Sequence, residues 1–147
     1  KGTLKVLPGK EKECIVSVSA DMDGKIQRFG EQKFRVKDVP DPKPFVGKYT
    51  GTAKIPLGEL KAFQGVIAKL ENFEFEGVKF VIQSFTMMAI IKGTPVEKEA
   101  KSNAFSPDMQ TVIKSMKTGG RVFIENIKAV GPDGRPRDIG NISIKVI

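Results

Sequence analysis

Apolar and polar residues alternate with a period of two along much of this chain, the pattern of strands that are wet on one face and buried on the other. Residues 1–39 read as four such strands, 3–7, 14–20, 25–29 and 32–37, punctuated by turn signals at Pro8-Gly9-Lys10 and Asp21-Met22-Asp23-Gly24. Leu4, Val6, Val16, Val18, Phe34 and Val36 fall on one apolar face. Four strands do not close a sandwich, since immunoglobulin-like sandwiches use about seven. The face therefore requires a cover from upstream sequence, from the rest of the chain or from another chain. Cys14 shares the alternation of Val16, Val18 and Ala20 and is expected to be a small buried hydrophobe.

The alternation ends in FRVKDVPDPKP. Pro40, Pro42 and Pro44 lack an amide donor and push the residues before them towards extended geometry, so neither a helix nor a central strand continues through them. Residues 40–48 are thus expected to form a stiff strap. Counted from Val39 to Gly47 in polyproline geometry, it spans at most about 28 Å, which suits a spacer between two bodies.

Beyond the strap, residues 49–147 mix strands with two helical pieces. Pro56 precedes a short helix over 57–63, and strands follow over 65–72 and 78–91. In the longer strand the apolar parity shifts from Val78, Phe80 and Ile82 to Phe85, Met87, Ala89 and Ile91. A bulge near Gln83-Ser84 explains the shift, and burial of both faces is the alternative. The clearest helix covers 106–117, with Ser106 as N-cap, Pro107 first, Asp108 at the positive end and an apolar stripe of Met109, Val112, Ile113 and Met116 facing a core. Strands over 121–130 and 141–147, joined through a Gly131-Pro132-Asp133-Gly134 turn, finish the chain, so even its end is pinned into a sheet. The fold class is mainly β with minor α: part of an immunoglobulin-like β-sandwich module over 1–39, the strap, and a second β-rich module carrying one clear helix.

Composition narrows the chemistry. The 147 residues are 39% hydrophobic, enough for packed cores, and no run approaches the roughly 20 apolar residues of a membrane span. The chain opens Lys1-Gly2-Thr3 without Met, as expected of a piece of a longer protein, and the absence of a span here leaves room for an anchor in the remainder. The excess charge of +8 divides into 9 basic against 6 acidic residues up to Val39 and 16 against 11 after it. An excess so evenly spread favours acidic partners over nucleic acid, whose binders gather charge into a stripe.

The sequence contains no histidine, which removes His-based triads and the commonest metal ligand. One cysteine excludes an internal disulfide and multi-cysteine zinc sites. Neither Ser-x-x-Lys nor a glycine-rich phosphate loop occurs. No catalytic, cofactor-binding or metal-binding residue is assigned. Glu71, Glu74 and Glu76 could be read as paired carboxylates or a calcium site, but Glu74 and Glu76 alternate with Phe73 and Phe75 as in an amphipathic strand. If functional, Glu74 and Glu76 dock a basic partner. Val122 to Ile127 imitates a short aromatic motif of RNA-binding sheets, yet only 20 residues follow it, so Phe123 is expected to pack a core and no nucleic acid is expected. Arg135 and Arg137, beside the final turn, are candidates to fork a partner's carboxylates.

The segments FRVKDVPDPKPFVG, GVIAKLENFEF, VKFVIQSFT and GRVFIENIKAVGPDGRPRDIGNISIKVI, in this order, resemble the C-terminal region of the GldM/PorM family of the Bacteroidetes type IX secretion and gliding machinery. The resemblance implies the periplasmic region of an inner-membrane-anchored protein, non-enzymatic and free of cofactors. It also implies a dimer whose missing anchor pairs with a GldL/PorL-type motor protein and whose distal end meets ring proteins of the GldK/GldN or PorK/PorN type. We expect a homodimer with exchange of segments around the strap as one route to it. The runner-up reading is a carbohydrate- or peptidoglycan-binding β module, against which stand the lack of Trp and the single Tyr49. A hydrolase using Glu74 or Glu76 has no second motif to support it.

Overall fold

The computed structural model of the protein describes residues 3, 6, 11–72 and 77–147, and divides the chain into two compact units, Lys1–Val39 and Pro40–Ile147.

In the first unit, β1 (Glu13–Met22) pairs antiparallel with β2 (Lys25–Arg35). Asp23 and Gly24 take φ of 56° and 83°, the left-handed pair of a two-residue hairpin turn, and the Asp21 carboxylate accepts the Gly24 N–H at 2.9 Å. The two strands expected over 25–29 and 32–37 are one. A bulge lets it run on: the register passes from Val18 opposite Gly30 to Ser19 opposite Arg28, which leaves Phe29 unpaired. The strand expected over 3–7 lies largely outside the described residues. Cys14 is half-buried, while Val18, Phe29 and Phe34 are 58%, 60% and 49% exposed. The hairpin's apolar face is therefore uncovered by the described residues of this unit, and two strands alone are marginal in water.

The second unit is organised by a six-stranded sheet. Its strands are β4 (Thr52–Ile55), β6 (Val81–Ile91), β7 (Thr94–Ala100), β8 (Arg121–Val130), β9 (Pro136–Asp138) and β10 (Ile142–Val146). The order is β4-β10-β8-β6-β7, with β9 on the far end of β8, and every pairing is antiparallel except β4 with β10. Two further strands, β3 (Lys43–Phe45) and β5 (Ile67–Lys69), form a small antiparallel pair.

β3 alters the reading of the strap. Pro42, Pro44, Phe45 and Val46 are buried, so residues 43–46 are built into the second unit rather than serving as a free spacer. A proline fits there because alternate residue pairs of an antiparallel ladder exchange no N–H bonds.

One face of the sheet holds the core. Met87 and Ala89 of β6, Val122 and Ile124 of β8, and Ile142, Ile144 and Val146 of β10 are at most 1% exposed and belong to one apolar cluster. β6 carries the expected bulge, with register shifts around Ser84 that bring Ile82 and Phe85 to the same face. β8 answers it at the same level. Asn126 has φ of 52°, and the inward series changes from Val122 and Ile124 to Ile127 and Ala129. Matched bulges on neighbouring strands keep the two apolar series in contact.

Two helices are present among the described residues. The short α1 (Leu57–Ala62) follows Pro56 and buries Leu60. In α2 (Pro107–Ser115) the Ser106 hydroxyl accepts the Met109 N–H at 3.3 Å, Pro107 occupies the first turn, and Met109 and Ile113 are buried. The apolar stripe of this helix faces the core, Met116 included, as its spacing suggests. Ser106→Ala removes the cap acceptor and is expected to cost about 1 kcal/mol, read as a lower urea midpoint with an unchanged slope.

Candidate functional surfaces

Arg137 lies in β9, immediately after the turn in which the Gly134 N–H meets the Gly131 carbonyl at 3.0 Å. Its guanidinium reaches Asp41 Oδ1 at 2.9 Å and Asp133 Oδ2 at 2.8 Å, and sits 5.6 Å from the centre of the Phe80 ring. The hydrogen bond from Arg137, helped by the Arg135 backbone N–H at 3.3 Å, lowers the Asp133 pKa below its ordinary 3.8. Hydrogen bonds to Asp133 and then Asp41 raise that of Arg137. The fork of Arg137 thus grips carboxylates of its own chain and pins Asp41, beside Pro40, to the β8–β9 end of the sheet. Arg135 is exposed.

The pH dependence of this clasp follows from the two directions. Asp133 has a depressed folded pKa, so its contribution is present above 3.8 and is lost as pH falls through the lower folded value. Arg137, whose pKa is raised by its hydrogen bonds to Asp133 and Asp41, stays charged and contributes fully throughout the acid and neutral range. Arg137→Leu is therefore expected to lower the urea midpoint by a similar small amount from pH 5 to pH 8, and the gap to the parent should close in acid below 3.8. A gap that widens in acid would contradict the assignment.

Glu74 and Glu76 lie outside the described residues. Their neighbour Glu71 forms an ion pair with Lys43 of β3, alongside the small β3–β5 ladder.

The other face of the large sheet brings together residues that are remote in sequence. Lys54 is opposite Lys145, Lys145 opposite Arg121, Arg121 opposite Ile90, and Ile90 opposite Pro95. All five are exposed. The next outward row is Thr52, Ser143, Phe123, Met88 and Glu97; the third sets Glu125, Thr86 and Glu99 side by side. Phe123 is half-buried on this outward face and is absent from the core cluster, contrary to the expectation from sequence. The inward side of β8 is filled by Val122 and Ile124, and alternation forces the residue between them outwards.

A cavity of about 530 Å³ opens at the basic end, between the β6–β7 turn and the α2–β8 connection. Ile90, Lys92, Met116, Lys117 and Arg121 are among its lining residues, and every ionisable group in that lining is a cation. Sequence reading missed this site because Lys92 of the cavity, its Lys117 and Arg121, and the adjoining Lys54 and Lys145 of the basic row are brought together only by the sheet topology. The only trace was that Lys54, Arg121 and Lys145 each occupy a polar position in an alternating strand.

Among the described residues no group of three or more histidine, cysteine or acidic side chains is placed to hold a metal, and no helix is long and apolar enough to cross a membrane. The geometry defines a β-sheet domain whose distinctive features are charged, open surfaces and a clasped entry segment. A match to the GldM C-terminal domain family covers residues 40–147, coinciding with the second unit, and the chain belongs to that family. The family serves gliding and type IX secretion as a structural component. No curated protein matches the chain.

Proposed function

We propose that the protein is a non-enzymatic, force-transmitting component of the type IX secretion and gliding machinery, linking the inner-membrane motor across the periplasm to the outer-membrane-associated ring. The observation that carries this reading is the parallel pairing of β4 with β10. These strands lie near opposite ends of the second unit in sequence and run the same way. Tension between the entry at Pro40 and the end at Ile147 therefore loads their ladder in shear.

Bonds loaded in shear must break together, whereas a peeled hairpin opens one rung at a time. The ladder continues past the strand ends: the Ser143 N–H meets the Gly51 carbonyl at 2.8 Å, and Ile147 both donates to Ile55 and accepts from Leu57 at 3.0 Å. On its other side, Val146 exchanges bonds with Gly119 and Gly120 at 2.8 and 2.9 Å.

In this reading the partners are a second copy of the chain, a GldL/PorL-type protein through the anchor, and GldK/GldN or PorK/PorN-type ring proteins. The apolar face of the β1–β2 hairpin, uncovered by the described residues of its unit, supports a pairing in which another segment completes the first unit, by strand addition or exchange. Immobilised chain is expected to capture the ring proteins from envelope extracts, and light scattering should give twice the 16.1 kDa chain mass. Retention of glycan without any ring protein would contradict the assignment and favour a carbohydrate-binding module.

A further inference from the structure

From the cavity end as far as Glu99 and Glu125 the outward face of the large sheet carries its charge in two banks, beyond which exposed Lys128 stands opposite Asp138. Lys54, Lys145 and Arg121 occupy one row on three adjacent strands, so the bank is about 10 Å wide at the ordinary strand spacing. Glu97, Glu99 and Glu125 occupy the rows beyond it, and Glu125 is four residues along β8 from Arg121, about 13 Å in an extended strand. None of these six side chains forms an ion pair with another described residue. Like charges set opposite one another destabilise a sheet, so the basic bank, where Lys145 faces both Lys54 and Arg121, costs the free domain stability that an opposite charge would restore. Between the banks lie Phe123 and Met88, half-buried, with exposed Ile90 at the basic end beside the cavity.

We propose that this face is a docking site for an extended polypeptide segment of a partner protein, carrying carboxylates at one end and basic side chains about 13 Å further along. The cavity beside Arg121 receives an anionic side chain of that segment, held by Lys92, Lys117 and Arg121, while apolar residues of the segment cover Met88 and Phe123. The acidic bank decides against a polyanion. A nucleic acid or an anionic lipid surface broad enough to meet the cations also meets three carboxylates, whereas a segment of split charge satisfies both banks. The inference rests on the face alone and holds whichever assembly the domain serves.

The test uses the isotope-labelled chain and a nine-residue probe peptide of three glutamates, a Thr-Leu-Thr centre and three terminal lysines. Amide shifts should concentrate at positions 54, 90, 121, 123 and 145, and 0.5 M salt should largely abolish them. Lys54→Glu combined with Arg121→Glu and Lys145→Glu is expected to weaken binding at least tenfold. Arg121→Gln alone, a milder surface change, should weaken it about threefold, and melting curves will establish that both variants remain folded. A peptide of the same composition with its charges interspersed should bind at least fivefold more weakly. The proposal is overturned if that peptide binds equally well, if a deoxythymidine decamer or phosphatidylglycerol vesicles occupy the face more tightly than the probe, or if the folded triple variant keeps its affinity.

Discussion

Phe85→Ala is expected to destabilise the second unit by about 4 kcal/mol, the largest loss foreseen for a single side chain. Phe85 is 1% exposed and meets Phe105 edge to face, with ring centres 5.9 Å apart and planes at 80°. It also stands where β6 recovers its inward parity after the bulge, so its ring fills the level at which two strands depart from regular pleating. Truncation removes the buried area and leaves a cavity between ladders that cannot close without shifting both bulges. For a unit of this size the loss should lower the melting temperature by about 15 °C or more. Phe85→Leu, which keeps most of the volume, should recover over half of it. A melting temperature within a few degrees of the parent would mean that the bulged region is not tightly packed.

Gly65→Ala is expected to cost about 3 kcal/mol, at the upper end for adding one methyl group. The reason is a close approach of backbone to backbone. A Cβ at position 65 would stand 2.1 Å from the Asn103 carbonyl oxygen and 2.9 Å from the Ala104 Cα. Those atoms are held by the Val66 N–H on the Asn103 carbonyl and the Phe105 N–H on the Gln64 carbonyl, both at 2.8 Å. The neighbour is main chain in a bonded bridge rather than the end of a flexible side chain, so accommodating the methyl must break that bridge. Because the bridge leads directly into Phe105 and the Ser106 cap, loss of helix signal and loss of the Phe85–Phe105 contact should occur together. An unchanged urea midpoint would show that residues 102–105 yield freely.

Local chemistry made α2 legible, since its cap, its first-turn proline and its stripe lie within a dozen residues. The bulge in β6 was legible for a similar reason: a parity change between Ile82 and Phe85 is written along one strand. The equivalent change between Ile124 and Ile127 is written in the same way, but Glu125-Asn126 interrupts the apolar positions only briefly and the stretch still reads as one strand without a bulge. β7 was hidden by Pro95, which weakens a strand signal although it suits this edge position; Lys92 and Gly93, with φ of 49° and 84°, form the two-residue turn that could have revealed it. β3 was hidden by the prolines that suggested a spacer. The basic row was not readable at all, for it depends on β10 returning between β4 and β8, a pairing that unites Lys54 with Lys145 across 91 positions. Arg137 was singled out for its charge, but its reach to Asp41, 96 positions away, is likewise a product of topology.

The central claim is that the second unit resists tension along its own chain direction. It is tested most directly by pulling single molecules of it through handles at residues 40 and 147, and comparing the unfolding force with that for handles at 93 and 118, which lie at the same end of the antiparallel β6–β8 ladder and peel it rung by rung. The first geometry shears the β4–β10 ladder and should give a force at least twice that of the second, with a single cooperative rupture. Equal forces, or stepwise peeling from residue 147, would contradict a load-bearing role for this domain.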